Sequence, residues 1–284
     1  MQAKRVGVRL FKALLLCIIV VAIAGVAGGG LFVKKIIDNS PDITPDDVKP
    51  QGFTTLVYAD DGTTEIERFV AAGSNRVYKT IDEIPADLQH AFVAIEDERF
   101  YEHNGIDVRG ILRAFVKNIT SGDLSEGAST ITQQLLKNNV FTNWTQESTW
   151  LERFTRKIQE QYLAVEVEKN INNKNVILEN YLNTINLGAG TYGVQAAAHK
   201  YFDKDVWDLN LSECATLAGI TQNPTQYNPI EHPEANAKRR KEVLDHMLDQ
   251  GYITQTQYNE VINDDISSEI QAAQSAIETK ETVY

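Results

Sequence analysis

Apolar residues recur at helical spacing through most of the chain after Pro85, and at strand spacing in one short stretch before it. Leu88, Phe92 and Ile95 stand at i, i+4 and i+7, which predicts a helix with one buried face ending just before Glu96. Val108, Ile111, Leu112, Phe115 and Ile119 form an apolar stripe on a second helix, while Arg109, Arg113 and Lys117 repeat on another of its faces. The polar stretch 122–127 breaks that helix. Leu151, Phe154, Ile158, Tyr162 and Val165 mark a long third one. Further helices are predicted over 176–185, 211–220, 235–247, 254–262 and 267–282; Gly188 and Gly190 end the first of these, and Asn223-Pro224 stops the alanine-rich second. Upstream, 54–59 and 63–69 flank Asp60-Asp61-Gly62, a hairpin signal. The pattern describes a mainly α domain with a small β hairpin.

The longest apolar run lies near the start. Residues 13–33 carry no charge, and these 21 positions would make a helix of roughly 31 Å, enough to cross a bilayer core. Lys4, Arg5, Arg9 and Lys12 precede the run and only Lys34 and Lys35 follow it, so the rest of the chain is expected to face outward from the cytoplasm. Ala22-Ile23-Ala24 has the small-x-small form of a signal-peptide cleavage site, but the run continues past it to Val33, which favours an uncleaved anchor. The domain reading is a basic cytoplasmic tail over 1–12, a transmembrane helix over 13–33, a Pro- and Asp-rich linker over 34–52, a β element over 53–84, the main domain over 85–265 and a connector over 266–284. That connector ends without an SxxK or KTG motif, so the sequence reads as a truncated bifunctional protein or an incomplete record.

A formal charge of -12 argues against a nucleic-acid partner. The two cysteines, Cys17 in the expected span and Cys214 in a helix, offer neither a disulfide framework nor a thiolate metal site. With five histidines and no paired ligand spacing, no zinc site is readable.

Candidate chemistry concentrates in two segments. EDERFYEHNG, from Glu96 to Gly105, sets acidic residues, an aromatic and a histidine at the end of an apolar helix face. A carboxylate at such a lip sheds water on one side, which makes it a better base near neutral pH, although a plain charged helix end would look the same. GASTITQQLLK, from Gly127 to Lys137, is dense in hydroxyls and amides. Thr130, Gln134 and Lys137 fall on one helical stripe, with Ser129 or Thr130 as its N-cap. Farther on, Arg156 and Lys157 stand four and three residues before Glu160, a spacing that also suits an ordinary surface ion pair.

These segments, with ENYLNTINLGAGTYGVQAAAHKYF (Glu179 to Phe202) and LSECATLAGITQNPTQYNP (Leu211 to Pro229), resemble in order the five motifs of the family 51 glycosyltransferases. Those are the peptidoglycan glycosyltransferase modules of class A penicillin-binding proteins and of monofunctional transglycosylases. The resemblance covers about Val77 to Ile262. It implies a lysozyme-like fold with a catalytic lobe and a more apolar lobe on the membrane. It also implies polymerisation of lipid II into glycan strands at the cell membrane, by inverting transfer that releases a lipid pyrophosphate, outside the cytoplasm. By motif match Glu96 is the general base and Glu160 the second essential carboxylate. Ser129, Thr130, Gln134, Lys137, Arg156 and Lys157 bind the donor. The match also groups Asp97, Phe100 and His103 with the substrate-binding residues, although residue chemistry alone favours packing for Phe100 and a loop hydrogen bond for His103. Asn183 and the 188–193 turn read as structural. No cofactor is required, and a divalent cation such as magnesium or manganese is compatible with the reaction. Expected partners are lipid II, the growing lipid-linked glycan, the membrane and other cell-wall synthesis proteins.

One stretch departs from the family layout. Residues 139–150 (NVFTNWTQESTW) are longer and more aromatic than expected between the second and third motifs, and read either as a membrane-contacting loop or as an uninvolved insertion. Two rival functions remain: a lytic peptidoglycan glycosidase, which also uses two carboxylates, and a membrane-tethered scaffold, for which Glu96 would be dispensable.

Overall fold

The computed structural model describes residues 28–62, 65–69, 75–121 and 127–282. Residues 28–38 are helical (α1). Strands β1 (Thr55–Tyr58) and β2 (Glu65–Phe69) pair antiparallel, close to the expected hairpin, with Gly62 at φ 71° in the turn. Then come α2 (Ala86–Glu96), α3 (Val108–Ser121), α4 (Ile131–Asn139), α5 (Trp150–Ile171), α6 (Lys174–Leu182), α7 (Val194–Phe202), α8 (Leu211–Ile220), α9 (Pro233–Asp249), α10 (Gln255–Val261) and α11 (Ile266–Thr282). Side-chain caps set several boundaries: Thr130 accepts from Gln133 N at the start of α4, and Thr149 and Asn210 open α5 and α8 with capping boxes. Each satisfies amide N–H groups that a first turn leaves without partners. α7 carries no clear periodic signal and was not anticipated from the pattern.

α2 is the centre of the molecule. Leu88, Ala91, Phe92 and Val93 are all fully buried, α2 packs on α8 and α9, and Phe92 meets Tyr181 of α6 edge-to-face at 6.1 Å. α4 lies against α5 and α6, and α11 docks on α7, where Gln274 Nε2 donates to Lys200 O at 2.6 Å. Cys214 is buried in α8 as apolar filler, whereas Cys17 lies outside the described residues.

Two helices present other faces than their patterns suggest. The buried face of α5 carries Glu160, Leu163, Ala164, Val167 and Glu168, while Leu151 and Tyr162 of the expected stripe are exposed. The outer side takes α1 instead: the Phe32 ring stacks on Phe154 at 6.4 Å, and Trp150 stacks on Phe154 at 5.2 Å. On α3 the apolar stripe faces outward, with Val108, Leu112, Phe115 and Ile119 each about 60% exposed or more. Among the described residues nothing covers this stripe, which leaves an apolar surface open to a partner.

The 34–52 segment is not free chain. Val48 is fully buried, and Asn139 Nδ2 donates to its carbonyl at 2.7 Å. Most of the expected span, 13–27, lies outside the described residues. Among the described residues no helix is long and apolar enough to cross a membrane.

Gly105 shows how tightly the loop after α2 is held. Its φ of 87° is unfavourable for any side chain, and a Cβ there would stand 2.5 Å from the backbone carbon of Ala164 in α5. Gly105→Ala should therefore lower the unfolding free energy by about 1–3 kcal/mol, measured by urea denaturation. Unchanged stability would mean that the loop can move off α5.

Candidate active site

Glu96 is the last residue of α2 and is half-buried. Gln134 Nε2 of α4 donates to Oε2 at 2.7 Å, and the Thr221 hydroxyl, just past α8, donates to Oε1. Tyr181 OH donates at 3.3 Å to Gln134 Oε1, which turns the amide so that its NH2 faces Glu96. Burial raises the Tyr181 pKa well above the ordinary value, helped by the charges of Glu96 and Asp97, so the phenol stays a donor. Two direct donors, one of them oriented by Tyr181, hold the carboxylate in place.

Asp97 faces the other way. Its buried carboxylate accepts from Ile131 N at 2.9 Å, at the start of α4, where the helix dipole favours an anion. His103 Nε2 lies 2.9 and 3.1 Å from its two oxygens. Gly105 N donates to His103 Nδ1 at 3.2 Å, so the ring proton belongs on Nε2 and points at Asp97.

The cations gather around Glu160, which is 1% exposed. Arg156 Nη1 donates to its Oε1, and Lys157 Nζ lies 3.0 Å from its Oε2. Lys157 also donates to Ser129 Oγ at 2.7 Å and to Gln133 Oε1 at 3.3 Å. Arg156 Nε donates to Glu147 Oε1 at 2.6 Å. Burial works against the Arg156 charge, but the hydrogen bonds and charges of Glu147 and Glu160 outweigh it and raise its pKa. Lys137 Nζ sits over the Trp144 ring, 4.7 Å from its centroid. Burial lowers the Lys137 pKa; Glu160 opposes that shift, and Lys157 and Arg156 add to it.

Both groups open on one cleft of about 900 Å³. Of the residues expected from the sequence, Glu96, Asp97, Ser129, Thr130, Gln134, Lys137, Arg156, Lys157 and Glu160 line it. Phe100 and His103 are not among its lining residues. The Phe100 ring is fully buried with Lys174 Nζ 4.5 Å above it, and the His103 imidazole is used by Asp97 and Gly105. Thr130 is 1% exposed, and its hydroxyl donates to Gly105 O at 2.8 Å while capping α4, so its polar group serves the fold. Ser129, one residue before that cap, is free to hold Lys157.

Thr221, Trp144 and Glu147 join the site beyond the residues expected from the sequence. Thr221 follows the fifth motif's helix, and its hydroxyl was the available signal. Trp144 and Glu147 ride on the 139–150 stretch, which is neither uninvolved nor purely outward: it walls the cationic end of the cleft. Among the described residues, no cluster of three His, Cys, Asp or Glu side chains could hold a metal ion.

The family model described as Transglycosylase matches residues 62–248. Penicillin-binding protein 1A of Clostridium perfringens is 43% identical over 257 residues, 87% of this chain and 36% of that protein. Penicillin-binding protein 1A of Aquifex aeolicus is 48% identical over 188 residues, 66% of this chain and 25% of its own length. Penicillin-binding protein 1A/1B of Bacillus subtilis is 38% identical over 88% of this chain and 26% of its own. The chain thus spans about a third of these relatives or less. A crystal structure of penicillin-binding protein 1A from Haemophilus influenzae aligns over 76% of this chain and 21% of its own at 24% identity, with a TM-score of 0.41, too loose a match for the fold to be read from it.

The Lys137 environment can be measured directly. After reductive 13C-methylation of the lysines, NMR titration should give Lys137 a midpoint below the ordinary lysine value of about 10.4, and Lys241, held by Asp245 and Tyr258, one above it. A Lys137 midpoint at or above that of Lys241 would mean that the ammonium is not desolvated in the cleft.

Proposed function

This chain belongs to the transglycosylase family, and from that premise we propose that it polymerises lipid II into peptidoglycan glycan strands. The observation that carries the reading is that Glu96, held by Gln134 and Thr221, shares one cleft with the cations Lys137, Arg156 and Lys157. A lipid-pyrophosphate-linked glycan is the donor and the 4-hydroxyl of a second lipid-linked disaccharide-peptide is the acceptor. Glu96 takes the proton from that hydroxyl as its oxygen bonds to the anomeric carbon from the face opposite the leaving group, which inverts the centre. The bond to the lipid pyrophosphate breaks, and the three cations stabilise the charge that develops on its oxygens. Glu160 holds Arg156 and Lys157 in place for this. Pyrophosphate leaves readily, so no strong general acid is needed, and a divalent cation at the phosphates is compatible with the scheme.

The rival lytic glycosidase needs its second carboxyl as a proton donor or nucleophile beside the scissile bond. Glu160 is instead committed to two cations, which favours transfer from a pyrophosphate.

In this reading the protein works at the membrane that holds both lipid-linked substrates, with a lysozyme-like catalytic lobe and a more apolar lobe against the bilayer. The outward apolar stripe of α3 supports that placement. The uncharged run over 13–33 is its single transmembrane anchor, the domain lies outside the cytoplasm, and other cell-wall synthesis proteins are its neighbours.

Glu96→Gln should fold and bind lipid-linked precursor, yet polymerise roughly a hundred- to ten-thousand-fold more slowly in a gel assay of glycan products. Polymerisation within a few-fold of the parent would refute Glu96 as the base. For the topology, protease added to intact spheroplasts should digest the domain; full protection would place it on the other side of the membrane.

A further inference from the structure

The segment between α4 and α5 carries a carboxylate to which the proposed reaction gives no task. Glu147 Oε1 accepts from Arg156 Nε, its side chain is 15% exposed, and its Oε2 is buried with no hydrogen-bond partner. Arg156 lines the cleft and Glu147 does not, so the carboxylate stands behind the guanidinium rather than before a ligand. Glu160 holds the same guanidinium at Nη1. The two carboxylates come from different elements: Glu160 lies one turn along α5, whereas Glu147 follows the 3-10 turn Thr142–Gln146 that also carries Trp144 to Lys137. A long side chain held at Nε and at Nη1 by two anchors has little freedom left, and no side chain or backbone oxygen among the described residues accepts from Nη2.

A merely stabilising ion pair would not explain this arrangement well. A buried carboxylate oxygen without a donor is unfavourable, so the segment is not built for stability alone. Nor does Glu147 add attraction for an anion, since its own charge opposes one. What it offers is orientation.

We propose that Glu147 is a positioning residue: it fixes the Arg156 guanidinium so that the remaining N–H groups meet the diphosphate oxygens of the donor. This rests on the reading of the cleft as a lipid-pyrophosphate site. The chemistry favours orientation over charge, which predicts different behaviour for two substitutions. Glu147→Gln keeps an oxygen for Arg156 Nε and removes the repelling charge, whereas Glu147→Ala releases the side chain.

The test is the inhibition constant of inorganic pyrophosphate in glycan polymerisation, together with the KM for the lipid-linked donor and the thermal midpoint of each variant. Glu147→Ala should weaken pyrophosphate roughly ten-fold, in the range of coupling between contacting residues, and raise the donor KM by a similar factor. Glu147→Gln should bind pyrophosphate as the parent does, or more tightly. Arg156→Ala should weaken binding as well, and adding Glu147→Ala to it should cause no further loss. Pyrophosphate binding unchanged in Arg156→Ala would overturn the reading of the cleft, and this assignment with it. If Arg156→Ala binds weakly but Glu147→Ala matches or exceeds the parent, or if the two losses add, only the positioning role falls. A drop in thermal midpoint with an unchanged inhibition constant would likewise mark Glu147 as structural.

Discussion

The buried Asp97 carboxylate accepts the Ile131 N–H, which joins the end of α2 to the beginning of α4, and the Nε2–H of His103, which ties in the loop that follows α2. Most of the site's geometry follows from that junction. Glu96 is the neighbouring residue on one side, and Ser129, Gln134 and Lys137 stand on or just before the helix on the other. An unpaired carboxylate at this depth would be costly, so the loop from Asp97 to Gly105 must close as it does. Gly105, pressed against Ala164, then fixes how far α5 with its Glu160 stands from that loop.

Charge is distributed unevenly around this frame. Glu160 is almost fully buried on α5 and touches two cations, which in turn reach Ser129, Gln133 and Glu147. Removing one member of such a set leaves a charge uncompensated in a low-dielectric place, so its members depend on one another more than surface pairs do. Glu168, farther along the same face, is likewise satisfied, by the Thr132 hydroxyl and Lys174. Two buried carboxylates on one helix face are an arrangement that only ion pairing and hydrogen bonding make stable.

Of the apolar residues that α5 does not bury inward, Phe154 meets Phe32 of α1 and Trp150 of its own helix, while Leu151 and Tyr162 stay exposed. α3 turns its own apolar stripe to the outside. The molecule therefore has a conventional core around α2 and a second apolar surface near the cleft. A bilayer beside that surface, as proposed, would bring lipid-linked substrates to the cleft that already holds the cations.

Much of this could be read along the chain. The helical period located most of the helices, the Asp-Asp-Gly turn located the hairpin, and the ordered motifs contained several of the residues that line the cleft. Such signals are local: a period of 3.6, a cap residue or a short motif involves neighbours in sequence. Other features depended on contacts that no local pattern encodes. Thr221 reaches Glu96 across 125 positions and Gln134 does so across 38. The stripe on α5 marked a helix but not the side that packs inward, because Glu160 and Glu168 can be buried only where cations and hydroxyls from other elements await them. The same holds for the 139–150 stretch. Its composition announced aromatic and acidic residues; only the folded chain decided that Trp144 lies beneath Lys137 and Glu147 behind Arg156, because those partners come from helices on either side of it.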